Sequence, residues 1–126
     1  MLKNASVMAT IPAENLERAK KFYGEVLGLK QIDSREGSAT FEAGGGSTIF
    51  MYERARTKAE HTAITFLVKD VETTVKELAA KGVKFEQYDM PGIKTNAMGI
   101  ADMGDDTKLA WLTDPEGNIL AIAPSA

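Results

Sequence analysis

The sequence predicts an α+β fold made of two copies of one strand–helix–strand–strand–strand (βαβββ) unit. Two helices of matching design carry that prediction. From Asn15 to Leu27, the apolar residues Leu16, Ala19, Phe22, Tyr23, Val26 and Leu27 recur at the spacing of one helix face. From Asp70 to Lys81, Val71, Thr74, Val75, Leu78 and Ala79 do the same. Asn15 and Asp70 are good N-caps, and Gly28 and Gly82 suit the position just past a helix end. The caps stand 55 residues apart and the glycines 54. Thr10 and Ile11 match Thr65 and Phe66 at the same offset. Self-similarity at a fixed spacing marks a repeat, and two copies suit a two-module domain better than a solenoid.

The remaining elements follow in chain order. Ser6 to Ile11 reads as a strand closed by Pro12. Leu29–Arg35, Ser38–Glu42 and Ser47–Glu53 are three more, the last rich in Thr48, Ile49, Phe50 and Tyr52. Between the last two lie Gly44, Gly45 and Gly46. A phosphate cradle needs a helix directly after its glycines; a strand follows here, so a tight hairpin is the reading. Residues 54–60 are polar and link module one (residues 5–53) to module two (residues 61–124). In module two, His61–Val68, Val83–Tyr88, Thr107–Thr113 and Asn118–Ala123 read as strands around the second helix. Asp89 to Asp106 shows no clean period, has the length of a binding loop or lid, and has room for a short strand around Ala97–Met103. Asp114-Pro115-Glu116-Gly117 suits a type I turn with a bulge. A three-residue loop from Pro115 to Gly117 pairs Asp114 with Asn118, and stepping outward sets Trp111 opposite Ala121.

Composition narrows the chemistry. A chain of 126 residues, 44% hydrophobic and 26% charged, can bury a core without staples. It has no cysteine, which excludes disulfides, iron–sulfur clusters, thiolate zinc and cysteine nucleophiles. A net charge of −3 lacks the basic face nucleic acid requires, and weakly favours a cationic or neutral small molecule. No run approaches the roughly 20 apolar residues of a membrane span. The first ten residues lack a signal-peptide core, so a cytoplasmic location is expected. No serine sits in a GxSxG elbow. Glu42, Glu53, Tyr52 and Tyr88 are the candidates for acid or base work in a cleft. Asp105 and Asp106, flanked by glycine, read as a solvated turn.

Several short stretches then point one way: Asn15-Leu16-Glu17-Arg18-Ala19, Phe22-Tyr23, Leu27-Gly28-Leu29, Asp70-Val71-Glu72, Gly82-Val83 and Asp114-Pro115-Glu116-Gly117-Asn118. In this order, over nearly the whole chain, they resemble the vicinal oxygen chelate superfamily of glyoxalases, extradiol dioxygenases and bleomycin-resistance proteins. The resemblance implies one domain over residues 1–126, with two βαβββ modules forming a half-open barrel around a cleft. It also implies a homodimer. The matching residues are helix faces, caps and turns, so they speak for the fold and not for an activity.

Metal-using members of that superfamily take histidine, glutamine or glutamate ligands from four strands. The resemblance sets Met8, Ala63 and Ala121 at three of those positions, and Ile49 or Met51 at the fourth. None is a good ligand for a hard or borderline divalent ion. The single histidine, His61, lies one pleat step, roughly 7 Å, from Ala63, and Glu53 stands likewise to Met51. A displaced His61/Glu53 site has too few ligands without help. The expectation is a metal-free, cofactor-free protein that binds a small organic molecule in an apolar cleft. Its expected lining is Met8, Thr10, Ile49, Met51, Ala63, Thr65, Trp111 and Ala121. The alternative is an enzyme of the same superfamily, either a metal-dependent lyase or dioxygenase or a metal-free isomerase or epimerase.

Overall fold

The computed structural model describes residues 1–125, which divide into two compact units, Met1–Thr57 and a second beginning at Lys58. The first holds β1 (Ala9–Ala13), α1 (Leu16–Lys21), β2 (Lys30–Arg35), β3 (Ser38–Glu42) and β4 (Thr48–Glu53). Its sheet runs β1-β4-β3-β2, with β1 parallel to β4 and the other pairs antiparallel. Asn15 is extended, and its side chain accepts from the Arg18 N–H at 3.0 Å, satisfying one orphan donor of α1. The expected helix through Leu27 is present, but its second half, Phe22–Val26, widens into a π-helical turn in which the Leu27 N–H donates to the Phe22 carbonyl. Gly28, at φ +76°, ends it.

Tyr23 turns inward, with its ring 6.3 Å from that of Phe41. Strand alternation then decides the core of this unit. Ile11, Ala39, Phe41, Ile49 and Met51 are all buried on one face of the sheet. Pro12 lies inside β1 instead of closing it. β1 is an edge strand, where a ladder tolerates the missing donor. The glycine run is a tight connection between β3 and β4, with Gly45 and Gly46 at positive φ.

The second unit repeats the plan with β5 (Thr62–Val68), α2 (Val71–Ala80), a small hairpin of β6 (Asp89–Met90) and β7 (Ile93–Lys94), then β8 (Ile100–Asp102), β9 (Lys108–Thr113) and β10 (Ile119–Pro124). The sheet order β5-β10-β9-β8 reproduces that of the first unit, with β5 parallel to β10. The Asp70 side chain accepts from the Thr73 N–H at 3.1 Å, and that bond holds its carboxyl below the ordinary value. α2 packs on β9 and β10, over the buried face made by Ala110, Leu112, Leu120 and Ile122. Between β9 and β10, one oxygen of the buried Asp114 accepts from the Glu116 and Asn118 N–H groups, both at 2.8 Å. The other oxygen accepts from the Asn118 amide at 2.9 Å.

One strand differs from expectation. Residues 83–88 form no continuous strand. Phe85 makes a single antiparallel bridge with Leu112, and the Glu86 N–H donates to the Trp111 carbonyl at 2.8 Å. The first half of β9 pairs instead with β8, which lies in the segment that showed no period. Two separate pieces of chain therefore share one edge of β9.

Candidate functional site

Alternation and register place the candidate residues. In the second unit Thr65 pairs with Ala121, and Ala121 with Trp111. Glu86 is bonded to Trp111 on the far side, next to the Phe85–Leu112 bridge. Residues opposite one another in a ladder share a face. Glu86, Trp111, Ala121 and Thr65 therefore form one row across four segments, on the side away from the Leu112–Leu120 core. Ala121 is nearly buried at 5% exposure, Trp111 is half-buried and Thr65 is exposed. Ala63, two residues before Thr65, is exposed and falls where the β5–β10 register shifts between Thr62 and Ile64. The Tyr88 ring meets Trp111 edge-on, with centroids 5.4 Å apart and planes at 75°.

The electrostatics of this row centre on Glu86 and Tyr88. The Thr113 hydroxyl donates to Glu86 Oε1 at 2.8 Å. Burial first, and the Glu86 carboxylate second, push the Tyr88 phenol above its ordinary value. Tyr88 therefore stays a neutral hydrogen-bond donor across the whole physiological range. The combination offers an aromatic corner, one hydroxyl donor, one carboxylate and a small-residue floor.

In the first unit the candidates separate. Thr10 pairs with Phe50, and Phe50 with Thr40, on the face away from α1. Met8, two residues before Thr10, is 48% exposed. Ile49 and Met51, expected on the same face as Thr10, point the opposite way. They are 3% and 0% exposed and belong to the core beneath α1. A shift of one residue in a strand exchanges its two faces. The open face of β4 carries Phe50 and Tyr52 instead, whose rings stack at 6.5 Å. Glu86 and Phe50 were not among the expected lining residues. Phe50 follows from the β1–β4 register, which no local signal in the sequence sets. Nothing local in the sequence sets the register of residues 83–88 against β9.

The remaining candidates are peripheral. His61 is exposed, with Nδ1 3.3 Å from the Thr62 carbonyl. Glu42 and Glu53 are exposed at strand ends. Asp105 and Asp106 are exposed, with φ of +51° and +61°, in a turn closed by the Thr107 N–H to the Gly104 carbonyl. A groove of about 620 Å³ beside the start of α1 is lined by both acids and bases, Glu14, Glu17, Arg18, Lys20 and Arg35 among them. Of the candidates it holds only Glu53, and its mixed charge selects no ligand class.

The donor set does not fit a divalent ion. Ala63 and Ala121 offer no ligand atom, Met8 offers a thioether, and Ile49 and Met51 are turned into the core. Among the described residues, no three His, Cys, Asp or Glu side chains come together in a way that could hold a metal.

Comparison with known proteins places this geometry in a family. The family model described as Glyoxalase/Bleomycin resistance protein/Dioxygenase superfamily matches residues 6–122. Curated protein sequences give no match. Among solved structures, the chain is similar to a glyoxalase family protein from Bacillus anthracis, at 20% identity and a TM-score of 0.72 over 100% of both chains. It is also similar to a lactoylglutathione lyase from Agrobacterium tumefaciens, at 18% identity and a TM-score of 0.70, covering 98% of this chain and 96% of that one. The fosfomycin resistance protein FosX from Listeria monocytogenes is 13% identical, with a TM-score of 0.72 over 98% of this chain and 94% of its own. At these identities the likeness to solved structures is one of fold alone. With its family model matched over nearly its full length, the chain belongs to the Glyoxalase/Bleomycin resistance protein/Dioxygenase superfamily.

Proposed function

We propose that this protein binds a small organic molecule, without a metal ion, on the open face of its second sheet. The observation that carries the reading is the row Glu86–Trp111–Ala121–Thr65. A half-buried indole beside an alanine leaves room for a flat ligand to lie against the ring. Ligand sites combine apolar walls with a few placed polar groups, and Thr65, Glu86 and the Tyr88 hydroxyl are such groups. Trp111, Ala121, Thr65 and Ala63 are the proposed contact residues. Thr10 lies on the corresponding face of the first unit's sheet, and with Met8 just before β1 it makes a second candidate patch. The fold is shared with FosX, a resistance protein, and with a glyoxalase/bleomycin resistance protein from Streptomyces sp. CB03234. A drug- or metabolite-sequestering role is in keeping with that company. We read the protein further as a cytoplasmic homodimer; sedimentation as a monomer at micromolar concentration would contradict the dimer.

A second reading is a metal-free isomerase or epimerase, favoured by the Tyr88 phenol, which stays neutral and hydrogen-bond-donating beside the indole. A metal-dependent lyase or dioxygenase finds no support in the donor set. The test is a thermal-shift screen of aromatic and cationic metabolites and antibiotics, with and without divalent metals. A ligand that binds only the folded state raises the midpoint by mass action. The expected result is a metal-independent hit that is weakened in Trp111→Ala, by roughly 1–3 kcal/mol if the ring is a buried anchor. Turnover of that hit would favour the isomerase reading. Stabilisation only with added metal would overturn both metal-free readings.

A further inference from the structure

We infer that the ligand of the Trp111 face is an organic cation, with its ammonium or amidinium group held by Glu86 against the Tyr88 and Trp111 rings. This rests on the small-molecule reading above and names its ligand class. Glu86 is half-buried, directly opposite Trp111 in the ladder. One of its oxygens accepts the Thr113 hydroxyl at 2.8 Å. Among the described residues, no lysine or arginine pairs with it. With one oxygen on the Thr113 hydroxyl, the carboxylate keeps acceptor capacity and a negative charge for a ligand on this face. Its charge is felt at Tyr88, where it opposes ionisation of the phenol.

The rings supply the second half of the recognition. Aromatic faces attract cations through their quadrupole, and the attraction is strongest for tryptophan. The edge-on pair presents two differently oriented rings within 5.4 Å of each other, on the sheet face that Glu86 shares. A cation seated there has an ion pair on one side and aromatic surface on the other. A neutral ligand of the same shape leaves Glu86 without a partner, and an anion is repelled by it. The same row ends in Thr65, whose hydroxyl offers a hydrogen bond to the far end of an elongated ligand.

The experiment titrates the intact protein with three probes of one shape: benzyltrimethylammonium, its neutral isostere neopentylbenzene, and the anion phenylmethanesulfonate. Trp111 is the only tryptophan, so its fluorescence reports the site directly. The expected result is at least about tenfold tighter binding of the cation than of the neutral isostere, with the anion weakest. Glu86→Gln is expected to abolish the preference, and Glu86→Asp to retain part of it. Thermal unfolding checks that both variants fold, and weakening of the wild-type cation affinity by salt gives a readout that needs no variant. Equal binding of cation and isostere, unchanged by Glu86→Gln, overturns the cation inference and leaves the small-molecule reading standing. Absence of binding by all three probes at millimolar concentration overturns the cation inference. Only if the broad screen also gives no Trp111-dependent ligand does the underlying reading fall with it.

Discussion

Tyr88 stands edge-on to Trp111, with ring centroids 5.4 Å apart and planes at 75°. The contact joins residues 83–88, which form no regular strand, to the middle of β9. It brings together the two aromatic side chains on which the functional reading rests.

The first prediction concerns the Tyr88 phenol. Burial and then Glu86 raise the Tyr88 phenol, so its folded value lies above the unfolded value of about 10. Tyr88's contribution to stability is fully present below the unfolded value. It is lost as pH rises through the higher folded value. Phenolate absorbance of the native protein minus that of Tyr88→Phe should titrate above an exposed tyrosine, with Trp111 emission quenched in the same range. Titration of Tyr88 at the ordinary phenol value would contradict its burial beside Glu86.

A second prediction separates core from site. Met51 is fully buried beneath α1, and Met51→Ala should cost about 2–5 kcal/mol through a lost side chain and a residual cavity. Binding by the fraction that remains folded should be unchanged. Urea unfolding and a ligand titration on the same sample measure the two effects. A stable variant with lost affinity would return Met51 to the ligand face.

A third concerns Gly99, at φ +86°, where an added Cβ would lie 2.6 Å from the Phe85 Cβ and 3.2 Å from the Glu86 carbonyl. The β8 end of the loop therefore passes close against the segment that carries Glu86. Gly99→Ala should cost about 2–4 kcal/mol, the sum of left-handed strain and overpacking. Gly104, at φ +89°, has nothing within 4 Å, so Gly104→Ala should show only the strain, about 1 kcal/mol. Equal losses in denaturant unfolding would show that the close approach does not matter.

A fourth concerns the β9–β10 turn. Asp114→Ala leaves the buried Glu116 and Asn118 N–H groups without their acceptor and should cost about 2–4 kcal/mol, several-fold more than the roughly 1 kcal/mol of the exposed cap variant Asn15→Ala. Thermal denaturation of the two variants side by side makes the comparison.

Much of this fold is written in local signals. The caps Asn15 and Asp70, the helix faces they open and the turn at Asp114 depend on a few neighbouring residues, and the structure follows them. The turn also fixed Trp111 opposite Ala121, because a hairpin sets its own register. What depends on distant pairing was less legible. Residues 83–88 have strand-like composition, yet β9's edge is shared with β8, and that competition appears in neither segment alone. Which face Ile49 and Met51 take depends on the β1–β4 register, and a parallel pair carries no local marker of it. The burial of Met51 beneath α1 shows the opposite parity. The position of Glu86 likewise comes entirely from what lies across the ladder, which its own segment does not carry.

The most direct test of metal-free ligand binding is a fluorescence titration of Trp111 with the strongest ligand from the thermal-shift screen, performed in excess EDTA. The account predicts a saturable change in Trp111 emission whose affinity is the same before and after a divalent ion is restored. No change in EDTA, followed by saturable binding once the ion is added, would contradict it.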